Sequence, residues 1–574
     1  MSADLIITNG RLYSVKMDGT EIRAEAAAVK DGMIEAVGTC QEIEKLRGEN
    51  TEIIDAEGGS ILPGLGDAHV HATFSASAMF SANLFGCPGT EAQMNIDFCK
   101  EKMAEYIKEH PDDEIIRGCG WNSAILAEKA PTRHNLDELC SDRPMILESF
   151  CQHFVWVNTK AIEMAGITKD TPTPRTAVLL REEDGYPAGV FGEFAGIGMI
   201  RDGLKSDFTV DQYKDTLRIY QKDLANRYGV TMIFDAYCTE NGREAYKQMA
   251  RDGELTIRVN GCYYADPAGS PEQFDEIIAR RDGGRDVVGD LYSSDTVKFF
   301  LEGSGAGFYN LEPFEKEYCE MTGMPEGFRG APFWTDEEIN EYFSRLNAAG
   351  LQLHCHAMGS ASVRQAVDGY ENSNKNGAGD VRNVIAHLMQ IDDSDVRRMA
   401  ENKVIACLQP TWMMQEPLTG PGMTFMFGRE RYLDSYPYKR FLDAGVVVSE
   451  GTDFPVTPPP DPFISIEHGM RRTISEACYL KVDDMYYHMP LGPDEDPTRE
   501  CVTLKDALQG LTIGVAYQNF REDITGTLEV GKSADIVILD KDIEALPADK
   551  IHTVNVKKTI FKGRVVYEGA QNEQ

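Results

Sequence analysis

The sequence predicts an α/β protein: a (β/α)8 TIM barrel with a small β-sandwich built from both ends of the chain and a large insertion after the first barrel strand. Three observations carry this. Short β-branched runs alternate with helical patterns through the middle, and both ends are rich in strand and turn residues. Polar, metal-competent side chains stand where several of the apolar runs stop.

At the N-terminus, Asp4–Tyr13 reads as strand, Asn-Gly turn, strand, and Ala26–Ile34 repeats the pattern. Ala534–Asp540 and Lys558–Tyr567 are β runs of the same style. Residues 1–62 and 521–574 are therefore expected to form one sandwich, with the barrel and its insertion over 63–520 between them. Eight candidate barrel strands follow in order: Gly66–His71, Val230–Asp235, Thr256–Gly261, Thr296–Glu302, Leu351–His356, Val384–His387, Val404–Gln409 and Val446–Asp453. Asp336–Ala349, Ser360–Glu371 and Asp393–Ala400 fit between them as helices.

The gap between the first two strands, roughly 130 residues over 73–206, is too long for one βα connection. It leaves from the C-terminal end of a barrel strand, so it is expected to overhang the active-site face as a lid or substrate-selecting subdomain. Gly303–Trp334, rich in Gly, Pro and aromatics, reads either as a mobile lid or as an inert surface loop.

Composition narrows the function classes. A chain of 574 residues with 42% apolar content is a folded globular protein large enough for a barrel with an appendage. No stretch resembles a membrane span, and Met1-Ser2-Ala3-Asp4 lacks the basic and apolar regions of a signal peptide, so a soluble, cytoplasmic protein is expected. Thirteen cysteines without a CxxC pair argue against a disulfide framework or zinc ribbon. A net charge of −36 argues against nucleic-acid and anionic-membrane partners, leaving a small-molecule substrate. The acidic excess itself reads as solubility.

The chemistry starts at Pro63–His71. On a strand the side-chain period is two, so His69 and His71 face one side and are able to hold one ion together. A lone His-x-His occurs by chance in many chains, and its weight comes from what lies downstream. His356 closes the fifth expected strand, His387 the sixth and Asp453 the eighth. Each alone is more often a structural residue; together, at barrel strand ends, they form a metal-site constellation.

Lys298 lies inside Thr296–Leu301, where a buried ammonium is costly without a partner. It is either half of a buried ion pair or, once neutral, an amine that adds carbon dioxide and binds metal as a carbamate. Beside the histidines the ligand reading is preferred. His354 shares the face of His356 and is left as ligand, partner of a ligand, or substrate contact. Trp121, Trp156 and Glu193 in the insertion are candidate substrate contacts, although plain packing is the commoner role for a Trp.

Finer motifs run along the whole chain: Gly118–Trp121, Pro131–Arg133 with Leu136–Asp137, His153–Asn158, Gly189–Glu193, Val297–Lys298, His356–Gly359, Gln409–Pro410, Asp453–Val456 and Gly526–Asp535. With the ligand constellation, these resemble the metal-dependent amidohydrolase superfamily. Within it they resemble the amidohydrolase 3, or YtcJ-like, family, which includes N-substituted formamide deformylases.

The resemblance implies one or two divalent ions, zinc being the first choice, held by His69, His71, carboxylated Lys298, His356 and His387, with Asp453 beside them. It implies that Asp453 moves the proton and that His387 or His153 helps hold the oxyanion. It also implies a homodimer. The expected reaction is hydrolysis of a non-peptide carbon–nitrogen bond in an amide, N-formyl or cyclic amide compound. Ester or phosphoester hydrolysis at the same site, or a catalytically silent regulatory or scaffold role, are the alternatives. Ser360-Ala361-Ser362 stands where this branch has Asp and Arg, Glu302-Gly303 where it has Asp-Gly, and Cys151-Gln152 where it has small residues. These departures imply a pocket of its own, with Glu302 a further candidate substrate contact.

Overall fold

A ring of eight parallel strands forms in chain order: β1 Leu65–Val70, β2 Val230–Asp235, β3 Arg258–Tyr264, β4 Tyr292–Phe300, β5 Gln352–Ala357, β6 Val384–His387, β7 Ile405–Leu408 and β8 Val448–Glu450. The computed structural model describes residues 2–87, 91–284, 286–413, 420–457, 459–478 and 500–569. Almost every barrel-strand residue is buried, which is why these segments read as continuous apolar runs rather than alternating ones. The expected helices are present at Asp336–Ala348, Ser360–Lys375 and Asp393–Glu401. The first opens with a capping box between Thr335 and Glu338.

The strands match the expected ones to within four residues at either end; the fourth starts at Tyr292 rather than Thr296, and the eighth, expected to run to Asp453, ends at Glu450. The reason lies in how the barrel closes. After β8 the chain turns back onto β1: the Asp453 amide donates to the His69 carbonyl at 2.7 Å, and the His71 amide donates to the Phe454 carbonyl at 2.8 Å. A Cβ at Gly451 would lie 2.5 Å from the His69 nitrogen, so glycine is required for that approach.

Both chain ends enter one six-stranded sheet, ordered Arg564–Glu568, Val556–Phe561, Ile536–Leu539, Ser60–Pro63, Arg11–Val15 and Glu21–Ala24. A second, four-stranded sheet holds Met33–Gly38, Ala26–Lys30, Leu5–Thr8 and Glu52–Asp55. Ile7, Val29, Ile61, Ile536 and Ile560 pack between the two sheets. The Asn9-Gly10 turn is not a hairpin, because Leu5–Thr8 and Arg11–Val15 belong to different sheets. Asp31-Gly32, with φ of 51° and 78°, does close a hairpin between Ala26–Lys30 and Met33–Gly38.

The insertion carries its own mixed sheet: Val178–Arg181, Pro187–Gly192, Phe154–Val157, Met145–Ser149, Ile116–Trp121 and Ala82–Asn83. Helix Ala92–Glu109 packs on it through Ile96, Cys99 and Met103. Among the described residues no helix is long and apolar enough to cross a membrane.

Candidate metal centre and active site

The register of the barrel brings the titratable side chains to one place. Lys298 pairs with His354 and Phe300 with His356 across β4 and β5, and Ala357 pairs with His387 across β5 and β6. Paired residues face the same side, so Lys298, His354 and His356 all point into the barrel. His69 and His71 enter from β1, and Asp453 arrives from the turn after β8.

The atoms converge closely. Asp453 Oδ1 lies 3.1 Å from His71 Nε2 and 3.4 Å from His69 Nε2, and Lys298 Nζ lies 3.3 Å from that same His69 nitrogen. The His387 ring sits 4.7 Å from His69 and 4.6 Å from His356, centroid to centroid. Several of these polar atoms are buried without a hydrogen-bond partner, among them Asp453 Oδ1, His71 Nδ1 and His356 Nε2. Orphaned donors and acceptors in one buried cluster are costly, and a bound cation satisfies them.

His69 belongs to two possible ligand groups, one with His71 and Asp453 and one with His354 and Cys407, the ligand atoms in each lying within 4.8 Å of one another. The first is the better site. In the second, His69 Nδ1 and His354 Nε2 are 2.8 Å apart, a hydrogen bond that leaves no room for an ion between them. Burial also pushes the Cys407 thiol far up, away from the thiolate a metal requires. His354 is therefore the partner of His69 rather than a candidate ligand. Its hydrogen bond fixes the His69 ring with Nε2 turned toward Asp453, and its own ring stacks on Phe234 at 4.4 Å.

Electrostatics suit a cation. Burial, reinforced by the Lys298 charge or by neighbouring imidazoles, holds His69, His354 and His356 well below the usual histidine value. Burial pulls His387 down to about 3, so these rings are neutral at physiological pH, the form in which an imidazole accepts a cation. Burial lowers Lys298 to about 8, although the Asp453 carboxylate opposes it. Burial works to raise Asp453, and the His71 ring 3.1 Å away with the other nearby charges overcomes this, so Asp453 stays ionised. The donor set of imidazoles plus carboxylate suits zinc and related divalent metals. Asp453 and His387 hold left-handed φ of 57° and 78°, strain of the kind that gathers at functional sites.

The remaining candidates divide. His153 comes down from the insertion, its ring 6.3 Å from His356 and 6.2 Å from Phe300, with Nδ1 2.8 Å from Glu193 Oε2. Trp121 and Trp156 do not join the site. Both are 0% exposed in the insertion's own core, each donating its indole N–H to a backbone carbonyl, of Leu147 and Thr132 respectively. Glu302 acts on backbone, accepting from the amides of Tyr309, Met358 and Gly359 at the end of β5, the last at 2.8 Å. Phe74 stacks on His71 at 4.8 Å and Phe194 lies 5.7 Å from His153; both also border a cavity of about 610 Å³ under the insertion.

Sequence reading missed two residues here. Asp67, two before His69 and on the same face, accepts from the Thr452 amide at 3.0 Å and hydroxyl at 2.6 Å, tying β1 to the turn that carries Asp453. Burial raises it to about 7. Gln409 Oε1 lies 2.8 Å from His387 Nδ1, while its amide nitrogen faces Cys407 Sγ at 3.8 Å. That orientation puts the hydrogen on His387 Nδ1 and leaves Nε2 free for metal. The period of two marked Asp67; nothing in the sequence marked the partner of Gln409.

A barrel with this histidine and aspartate cluster at its strand ends is the frame of a metal-dependent hydrolase. Residues 52–567 match the amidohydrolase family Amidohydro_3, and the chain belongs to that family. YtcJ of Bacillus subtilis (strain 168) is 24% identical over 571 residues, covering 97% of this chain and 98% of that one. The N-substituted formamide deformylase of Arthrobacter pascens is also 24% identical, covering 98% of each chain. The crystal structure of an uncharacterized metal-dependent hydrolase from Pyrococcus horikoshii OT3 superposes with a TM-score of 0.70 at 21% identity, covering 95% of this chain and 99% of that one.

Proposed function

We propose that the protein hydrolyses a carbon–nitrogen bond in a small non-peptide amide, N-formyl compound or cyclic amide. The observation that carries this is the convergence of His69, His71, Lys298 and Asp453 within hydrogen-bond or ion-pair distance at the barrel mouth. The named activity of the Arthrobacter pascens relative supports the choice of bond. A divalent ion held by His69, His71, His356 and His387, with Lys298 as its carbamate, supplies Lewis acidity and water with a pKa of roughly 7.

The chain's residues do the rest. Burial lowers Lys298 to about 8, which favours the neutral amine that adds carbon dioxide with loss of a proton. Asp453, ionised and 3.1 Å from His71, takes the proton from the attacking water and delivers it to the nitrogen as the carbon–nitrogen bond breaks. Gln409 keeps the His387 ring in the tautomer a ligand needs.

Formamides, N-acyl amines, lactams, esters and phosphoesters, assayed side by side on the zinc-loaded protein, test the reaction class. Amide or formamide turnover should dominate, and preferential phosphoester turnover would sink the reading. With a substrate in hand, Asp453→Asn should lower kcat by about 10³-fold or more while zinc content stays at the wild-type level. Survival of activity in that variant would remove Asp453 from its role.

A further inference from the structure

The cavity of about 610 Å³ under the insertion has the size of a small-molecule site, and none of the metal-site residues lines it. Thr73 and Phe74, directly after His71, border it together with Phe194 of the insertion helix Glu193–Leu204. Phe74 stacks on His71, and Phe194 lies 5.1 Å from Tyr237 and 4.4 Å from Phe300. Aromatic rings therefore stand between the metal centre and the cavity.

Arg243, on the helix Glu240–Arg251 after β2, lines this cavity and is only 9% exposed. Its guanidinium is anchored along one side. Nη1 donates to the Cys238 carbonyl at 2.6 Å and the Cys262 carbonyl at 3.4 Å, and the group lies over the Tyr263 ring at 4.9 Å. That ring is fixed in turn, its hydroxyl donating to Asp286 at 2.6 Å. Among the described residues Arg243 has no carboxylate partner, its hydrogen bonds are made by Nη1 alone, and Nε is buried without one. A buried guanidinium without a counter-charge is costly, and the unused Nε–Nη2 edge is the fork that takes a carboxylate in two parallel hydrogen bonds.

The lining does not supply that carboxylate itself. Glu148 is paired with Arg201 at 2.6 Å, and Glu240 and Glu276 lie beside Arg280. Asp202 and Asp207 are exposed and Asp266 is half-buried, so water screens them. Arg117, a second guanidinium of the lining, donates to the Ser206 carbonyl at 2.7 Å and has no ion pair among the described residues. We propose that the cavity is the far end of the substrate site, and that Arg243 selects an amide whose other end carries a carboxylate. The substrate's middle, apolar or aromatic, lies along Phe74 and Phe194. This rests on the hydrolytic reading above, which puts the amide end at the metal centre.

Two measurements test it. On metal-free protein, where a carboxylate has no ion to bind, calorimetry compares hydrocinnamate with the uncharged hydrocinnamyl alcohol. Wild type should bind the acid about 10-fold or more tighter than the alcohol, and Arg243→Gln should lose that preference while keeping its affinity for the alcohol. Arg243→Lys, which keeps the charge without the fork, should bind the acid more weakly than wild type. Equal affinity for acid and alcohol in wild type, an undiminished preference in Arg243→Gln, or wild-type affinity in Arg243→Lys would overturn the proposal. On zinc-loaded protein, N-formyl-ω-amino acids of increasing length are set against N-formylalkylamines of matching length. At one length the acid should show a KM about 10-fold below its uncharged counterpart, and Arg243→Gln should raise that KM with kcat nearly unchanged. Calorimetric preference for the acid without any such KM difference would make this a site for a separate acid and overturn its place in substrate binding. No turnover of either series, with the calorimetric result intact, would instead sink the carbon–nitrogen reading and leave the carboxylate site standing.

Discussion

His387 shows how one side chain is fixed in a single orientation and tautomer. Its neighbour Gln409 is fixed by Cys407 on one side and presents Oε1 to Nδ1 on the other, so the ring cannot rotate or change tautomer freely. Gln409→Leu should therefore weaken divalent-metal affinity by about 10–100-fold, read by competition with a chromophoric chelator. Unchanged affinity would mean that the left-handed backbone alone orients the ring. At this scale the sequence was legible where position determines role: His69, His71, His356, His387 and Asp453 stand at or just past strand ends and cluster in space. It was illegible where the role depends on a partner. His354 is bonded to His69 across 285 positions, and both insertion tryptophans turn inward to their own core.

Elements are held at the mouth by buried carboxylates. Glu302 gathers three backbone amides from two loops, and burial raises it to about 7. Glu302→Ala leaves those amides without their acceptor. It should speed hydrogen exchange at Tyr309, Met358 and Gly359, and cost about 1–3 kcal/mol in denaturant unfolding. Protection equal to wild type would show that the loop is held by other contacts.

Glu450, at the end of β8, accepts from the Tyr438 hydroxyl at 2.5 Å, and burial raises it from 4.5 to about 8. Its folded value lies above its unfolded one, so its contribution to stability is complete below pH 4.5 and is lost as pH rises toward 8. Glu450→Gln should accordingly raise Tm more at pH 8 than at pH 5. An equal effect at both would place the carboxyl's titration elsewhere.

The whole molecule is tied together through the barrel's lower end. Arg258 of β3 reaches Asp535, which is 2% exposed, and also Asp290 at 3.1 Å and Ser533 at 3.0 Å, joining barrel to terminal sheets. Arg258→Met strands the Asp535 carboxylate and should destabilise the protein by about 3–5 kcal/mol in a denaturant titration. A loss below about 1 kcal/mol would show that Thr525 and Ser533, which also bond Asp535, suffice to hold it.

From the sequence alone came the barrel, its strand order, the presence of a long insertion and the polar residues at the strand ends. Each is a local matter of hydrophobic run, period and length, which the chain states residue by residue. Only the tertiary structure decided that β8 stops at Glu450 so that Asp453 hooks onto β1, and that the Asn9-Gly10 turn splits two sheets. It alone decided that His354 stands behind His69 and that Glu193 is bonded to His153. These depend on which side chains meet across hundreds of residues, and on burial, which sets the cost of every unpaired group there.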